Sequence, residues 1–282
     1  MTATATTARP ARNATAVYVF AVCRGLAAPA LAGLPGHRDG GALRLLAAGS
    51  LAAVAQEVPA REHDEEALRR RLAEPAELEG YARAHHEVVA AVAAATTAVP
   101  LPLATLYLSE ERARQAVAGN AARFHRVLDR LTGRAEWGLK LYALPREPAA
   151  AAGAAPVPEA GAPQDPPASG RAYLERLRGR QRDREARREA AWLAAERVDA
   201  AVGELAVAAR RLRCHGQEAG GPERQVLNAT YLVDAGRARE LAALVARLRR
   251  DPALAAHVRL ELTGPWAPYS FADEGEAADG EG

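Results

Sequence analysis

Few residues in this chain combine a reactive type with a spacing that chemistry would use. His85 and His86 are adjacent, but position 89 is Val, so no second ligand stands at the i+4 spacing of a zinc-binding helix. His85 falls on an apolar stripe, where a hydrogen-bonded core histidine competes with a general base or a metal ligand. Cys214-His215 sets a nucleophile type beside a base type. No other cysteine lies near it, and no GxSxG or phosphate-loop string accompanies it. Lys140 is the only lysine among 37 basic residues and shares a strand face with Glu136, four positions earlier. A specific polar role that arginine would not fill competes there with a plain exposed strand position. The last candidate is the string Gly264-Pro-Trp-Ala-Pro-Tyr-Ser-Phe271. Pro265 and Pro268 fix their own φ and bias their predecessors toward extended backbone, so Trp266, Tyr269 and Phe271 can be displayed at little entropic cost. Such aromatics anchor interfaces, or fold back as a plug over the second domain or the domain boundary. None of these sets converges on a catalytic arrangement, so no catalytic residue, metal ligand or cofactor is assigned.

The elements that would position these residues fall into two groups. A chain of 282 residues favours two domains. Its net charge of +2, from 37 basic and 35 acidic residues, argues against a dedicated nucleic-acid binder. The arginines of 171–188 are interleaved with acids, the pattern of a solvated helix rather than of a lipid or nucleic-acid surface. The two cysteines, Cys23 and Cys214, form no CxxC pair and are expected as free thiols in a reducing cytoplasm. No apolar run is long enough to span a lipid membrane, and no secretory segment is read at the start.

Val17–Cys23 reads as a strand, followed by a Gly/Pro-rich loop containing Gly33-Leu-Pro-Gly36. Leu43–Ala47 and Leu51–Val58 read as a hairpin around Gly49-Ser50. Asp64–Ala73 and 76–95 read as helices, the second with Leu78, Tyr81, His85, Val88 and Val92 on one stripe. The run 99–108, with two prolines, reads as an edge strand or a strand with a proline-stiffened entry. Ser109 caps a helix reaching about Leu131, with a break near Gly119, and Thr132-Gly133 stops it. Glu136–Tyr142 is a strand. A long helix is expected from Arg171 to about Leu212, then a strand at Gln225–Asp234, a helix at Arg237–Arg250 and a last strand at His257–Thr263. The expected organisation is an N-terminal tail (1–14), a first domain (15–144), an Ala/Pro/Gly linker (145–169), a second domain (170–271) and an acidic tail (272–282). Interspersed strands and helices make both domains α+β sandwiches.

The string Leu262-Thr-Gly-Pro-Trp-Ala-Pro-Tyr-Ser-Phe271 closely resembles the C-terminal signature TGPWPPYSF of the gas vesicle protein F/L family, with Ala267 in place of one proline. Glu136-Trp-Gly-Leu-Lys140 resembles the family's EWGVK strand. The His85 helix leading to Val99-Pro-Leu-Pro-Leu is similar to the segment before the family's LPLRFGT strand, but Pro102-Leu-Ala-Thr-Leu lacks that pattern's Arg, Phe and Gly. Weaker similarities are Gly33-Leu-Pro-Gly36, Tyr173-Leu174 and Val226–Val233, and all of them lie in register from about residue 17 to 271. The resemblance implies a ferredoxin-like α/β sandwich followed by a smaller α+β domain with a long helix. It further implies a non-enzymatic accessory protein, cytoplasmic and associated with gas vesicles. Its partners would be the very apolar major gas vesicle shell protein, whose assembly it would help nucleate, and other gas vesicle accessory proteins. The expected protein-binding residues are Gly264, Pro265, Trp266, Pro268, Tyr269 and Phe271, with Glu136, Trp137 and Lys140; the 99–108 strand is a second candidate surface. The alternative is a small-molecule-binding or regulatory α+β protein, conceivably an enzyme with a cleft between its domains.

Overall fold

The computed structural model describes residues 14–144, 166–214 and 224–273. It is a mixed fold with two antiparallel sheets and two compact units. The first unit is formed by the described residues up to Glu136 together with those from Pro265 onward; the second runs from Trp137 to Gly264. The boundaries 15–144 and 170–271 put residues 137–144 and 265–271 each in the other half. Most of the expected 145–169 linker and both tails lie outside the described residues.

In the first unit β1 (Thr15–Cys23) is buried from Ala16 to Cys23, which is why it reads as an apolar run. The next two strands, β2 (Arg44–Ala48) and β3 (Leu51–Pro59), form the expected hairpin, with Ala48 opposite Leu51. Of the two turn residues only Gly49 has a positive φ, +66°, the type II′ arrangement that suits strand twist. Two helices follow: α1 (Glu65–Ala73), whose Asp64 cap accepts the Ala67 amide at 2.8 Å, and α2 (Pro75–Ala95). Tyr81, His85, Val88, Val89 and Val92 are the buried face of α2, whereas Leu78 is 40 % exposed and drops off the expected stripe. Burying a valine contributes roughly 1.5–3 kcal/mol, which outweighs its helix-propensity deficit of up to about 0.7 kcal/mol.

The run 99–108 is not one strand. It makes two short pieces, β4 (Ala98–Pro100) and β5 (Leu106–Tyr107), both antiparallel to β1. Between them the chain turns through Ala104, at φ +66°, because Pro100 and Pro102 cannot donate to a continuous ladder. Helices α3 (Glu110–Gly119) and α4 (Ala121–Leu131) follow, broken at Asn120 as expected, with Ser109 capping the first. The sheet order β2-β3-β1-β4, with β5 also on β1, makes each crossover skip one strand. A ferredoxin-like sandwich has a helix in both crossovers; here the link from β1 to β2 is a loop with one 3-10 turn, Ala28–Leu31.

The second unit holds a sheet in the order β7-β8-β6-β9. Its members are β6 (Arg134–Ala143), which begins in the first unit, then β7 (Ala208–Arg211), β8 (Arg224–Asp234) and β9 (Val258–Trp266). The helices are α5 (Pro166–Gly203), α6 (Ala238–Arg250) and the short α7 (Pro252–Ala255). Ala191, Ala195, Val198 and Val202 of α5 pack with Leu241, Val245 and Leu248 of α6 over Tyr231 and Leu139. Contrary to expectation, the long helix ends at Gly203, and residues 208–211 form a strand. The last turn tightens through Leu205 N–H to Val202 and Ala206 N–H to Gly203, and the chain reverses. Arg211 then returns to α5, 2.8 Å from Glu196 and 2.8 Å from Asp199, which also accepts the Tyr231 hydroxyl. Apolar spacing alone ran on through Ala209 and Leu212, because these positions happen to keep the 3-4 step.

Candidate protein-binding site

The C-terminal aromatic segment belongs to the first unit. Gly264 sits at φ +122°, where only glycine is at ease, and from there the chain passes to Pro265. Pro265 and Trp266 are exposed, the indole at 47 %, whereas Ala267, Pro268 and Phe271 are buried. A 3-10 turn at Tyr269–Phe271 tucks the last aromatics inward. Phe271 lies beneath the Arg130 guanidinium of α4 at 6.0 Å, and Tyr269 packs into the core formed by β1 and α2. The segment is thus a plug on the first unit with one aromatic left outside.

Its anchor is the glutamate of the second motif. Glu136, 6 % exposed, accepts the Ser270 amide at 2.8 Å and the Ser270 hydroxyl at 2.6 Å. A carboxylate taking two donors from one residue fixes that residue's orientation, and charge-assisted bonds are the strong ones. The EWG and PYSF strings, 134 residues apart, are therefore two halves of one contact. Ser270, its partner half, was not singled out in the sequence. Trp137 and Lys140 are half-buried on β6 and belong to the second unit, with Trp137 packed against its core.

Beneath the plug lies a cluster of histidines and tyrosines. The Tyr18 hydroxyl accepts the Ala104 amide at 3.0 Å, which leaves its hydrogen for His85 Nδ1 at 2.8 Å. His85 is 3 % exposed and stacks on Phe20, while Tyr269 approaches it at 6.1 Å and stacks on His86 at 6.1 Å. Trp266 meets His86 edge-on at 5.7 Å. His37 stacks on Tyr81 at 4.1 Å and on Phe20 at 5.4 Å, with His63 6.0 Å away. Burial pushes these imidazoles down, His37 to about 3 and His85 to about 4, and lowers His63 in the same direction. Burial also raises the Tyr18, Tyr81 and Tyr269 hydroxyls well above their usual range. His37, His63, His85 and the three tyrosines are therefore neutral packing elements at neutral pH.

Gln56 holds this cluster from the other side. Fully buried, it accepts the His37 amide at 2.8 Å and donates to the carbonyls of His37 at 3.2 Å and Gly41 at 2.7 Å. A Cβ on Gly36 or Gly40 would stand 2.7 or 2.4 Å from its amide group, so the glycines of this loop exist to let Gln56 in. Sequence reasoning missed His37, Gln56 and His63, since no spacing links positions on three separate elements. Cys23 is buried, with its thiol pushed up to about 11, and Cys214 is exposed; both are free, and His215 lies outside the described residues. Among the described residues no group of three or more His, Cys, Asp or Glu side chains could hold a metal, and no helix is long and apolar enough to cross a membrane.

The fold and the joined EWG and PYSF motifs define a gas vesicle accessory protein: residues 16–273 match the family model of gas vesicle synthesis protein GvpL/GvpF, and the chain belongs to that family. Among its relatives is the gas vesicle protein L of Streptomyces sp. (strain CB03234), 40 % identical over 259 residues that cover 90 % of this chain and 92 % of the relative. The fold is also that of two crystal structures, each at 14 % identity. The gas vesicle protein GvpF of Anabaena sp. PCC7120 superposes with a TM-score of 0.60 over 93 % of this chain and 98 % of that one. GvpF of Microcystis aeruginosa superposes with a TM-score of 0.58, over 92 % and 99 %.

Proposed function

We propose that this protein binds the major gas vesicle shell protein in the cytoplasm and assists nucleation or assembly of the shell, together with other gas vesicle accessory proteins, by binding rather than by chemistry. The observation that carries the reading is the placement of Trp266. It is held half-exposed on His86 by a segment whose Phe271 is buried, whose Tyr269 is half-buried and whose backbone is fixed by Glu136. A rigid, exposed indole is the type of residue that dominates binding energy at an interface. The uncharged run 99–108 supports the same reading. Leu101, Leu103, Leu106 and Tyr107 are each half-buried and Leu108 is 88 % exposed, an apolar surface suited to an apolar partner.

The test is co-expression with the shell protein, capture of the tagged chain and quantification of the retained partner. Trp266→Ala is preferred to deletion of 264–271, because deletion also removes buried Phe271. Retention by the wild type and at least a tenfold loss in Trp266→Ala, at unchanged urea midpoint, is the expected result. Equal retention by both would move the contact away from Trp266, and no retention by the wild type would end the shell-binding reading.

A further inference from the structure

Four arginines of the first unit, Arg38, Arg61, Arg70 and Arg71, open onto one hollow of about 360 Å³. Arg38 comes from the loop after His37, Arg61 from the turn after β3, and the other two from one face of α1. Three carboxylates share the lining. Arg71 faces Asp39 at 4.0 Å and Glu77 at 3.5 Å, and Arg61 faces Glu62 at 3.4 Å. These separations are long and the groups partly solvated, so each such pair is weak. Arg38 and Arg70 take part in none of the ion pairs found among the described residues.

Two observations single this hollow out from an ordinary charged surface. Its base is rigid: Gln56 grips the backbone of His37 and Gly41 from inside, so Arg38 projects from a fixed loop rather than a free one. Its neighbours are polar and buried: His37 precedes Arg38 and His63 follows Glu62, each 4 % exposed, and the Nε2 atom of each is buried with no protein partner. His63 already uses Nδ1 on the Pro59 carbonyl, at 3.2 Å. The volume lies within the roughly 300–1,000 Å³ of small-molecule sites, but the lining is charged where such sites are usually apolar. It suits a ligand that carries charge over most of its surface, and guanidinium forks match oxyanions bidentately.

We propose that this hollow binds a small, multiply charged oxyanion of the pyrophosphate or polycarboxylate class, held by Arg38 and Arg70, with Arg71 exchanging its weak internal carboxylates for the ligand. The site is separate from the aromatic plug, and its occupation does not depend on shell binding. Calorimetry on the full chain would compare sodium pyrophosphate and citrate, with sodium chloride at matched ionic strength as the control. Saturable binding of either anion supports the site, and the one preferred tells phosphate from carboxylate chemistry. The Arg38→Ala/Arg70→Ala double variant should bind about a hundredfold more weakly, since each of the two charge-assisted bonds lost corresponds to about tenfold. Arg69→Ala, which removes the exposed partner of Glu65 on the same helix, should bind as the wild type does. Because both substituted arginines are exposed, an unchanged urea midpoint is expected and separates loss of binding from loss of fold. Heat no greater than that of sodium chloride, or equal affinity in the double variant, would overturn the proposal.

Discussion

Cutting the contact between Glu136 and Ser270 should loosen the C-terminal aromatic segment, and its cost follows from the geometry. The carboxylate is nearly buried and takes both donors of one residue, at 2.8 and 2.6 Å. Hydrogen bonds to charged groups each contribute roughly 1.5–3 kcal/mol. Ser270 is half-buried, so water replaces part of what is lost, and Ser270→Ala should cost about 1.5 kcal/mol, the bottom of that range. Glu136→Gln turns one acceptor toward a donor as an NH₂ group and should cost more, about 2–3 kcal/mol. Both changes remove the same hydroxyl–carboxylate bond, so the sum of the two single costs should exceed the cost of the double by about 1 kcal/mol. Urea unfolding of the four proteins measures this coupling. Amide exchange at Ser270 reads the site directly and should accelerate at least tenfold in Glu136→Gln. A coupling below about 0.3 kcal/mol, with exchange at Ser270 unchanged, would refute the view that the two motifs form one latch.

Three further outcomes are expected. The neutral histidines should make the first unit acid-sensitive: their folded pKa values are depressed by burial, so the unfolded chain binds more protons below its ordinary value near 6.5. Stability from this source is complete above about pH 6.5 and falls by up to about 1.4 kcal/mol per pH unit per histidine as pH drops toward the folded values. They are about 4 for His85 and about 3 for His37. His37→Phe, which keeps the stacking on Phe20 and Tyr81, should flatten the urea midpoint against pH between 6.5 and 4; an unchanged slope would show that His37 is not buried neutral. Gln56→Leu should cost about 3 kcal/mol or more, because the His37 amide and the carbonyls of His37 and Gly41 lose their partner together; a variant as stable as wild type in urea would mean that water replaces the clamp. Ala104→Gly should raise stability by about 0.5 kcal/mol: relief of a left-handed alanine, about 1–2 kcal/mol, exceeds the added chain entropy of about 0.4–1 kcal/mol. A lower thermal midpoint would contradict that strain argument.

Local chemistry was legible wherever it acts within a few residues. The strand Val17–Cys23, the Gly49-Ser50 turn, the Ser109 cap and the stop at Gly133 follow from side-chain type and position alone, and the structure has each of them. Family membership was legible as well, since the TGPWAPYSF and EWG strings are contiguous. Five features depended on tertiary structure. The long helix ends at Gly203 because a strand partner in β8 and the Arg211 pairs with α5 compete with an apolar spacing that by itself continues helically. The 99–108 run splits because β1 offers two separate places to pair and the prolines cannot bridge them. The aromatic plug, the Gln56 clamp and the histidine cluster each join residues tens of positions apart, and no periodicity relates such positions. Types and short spacings determined the elements and the family; which buried polar group meets which was decided only when the sheet brought distant segments together, because a buried donor or acceptor must find its partner in space, not in sequence.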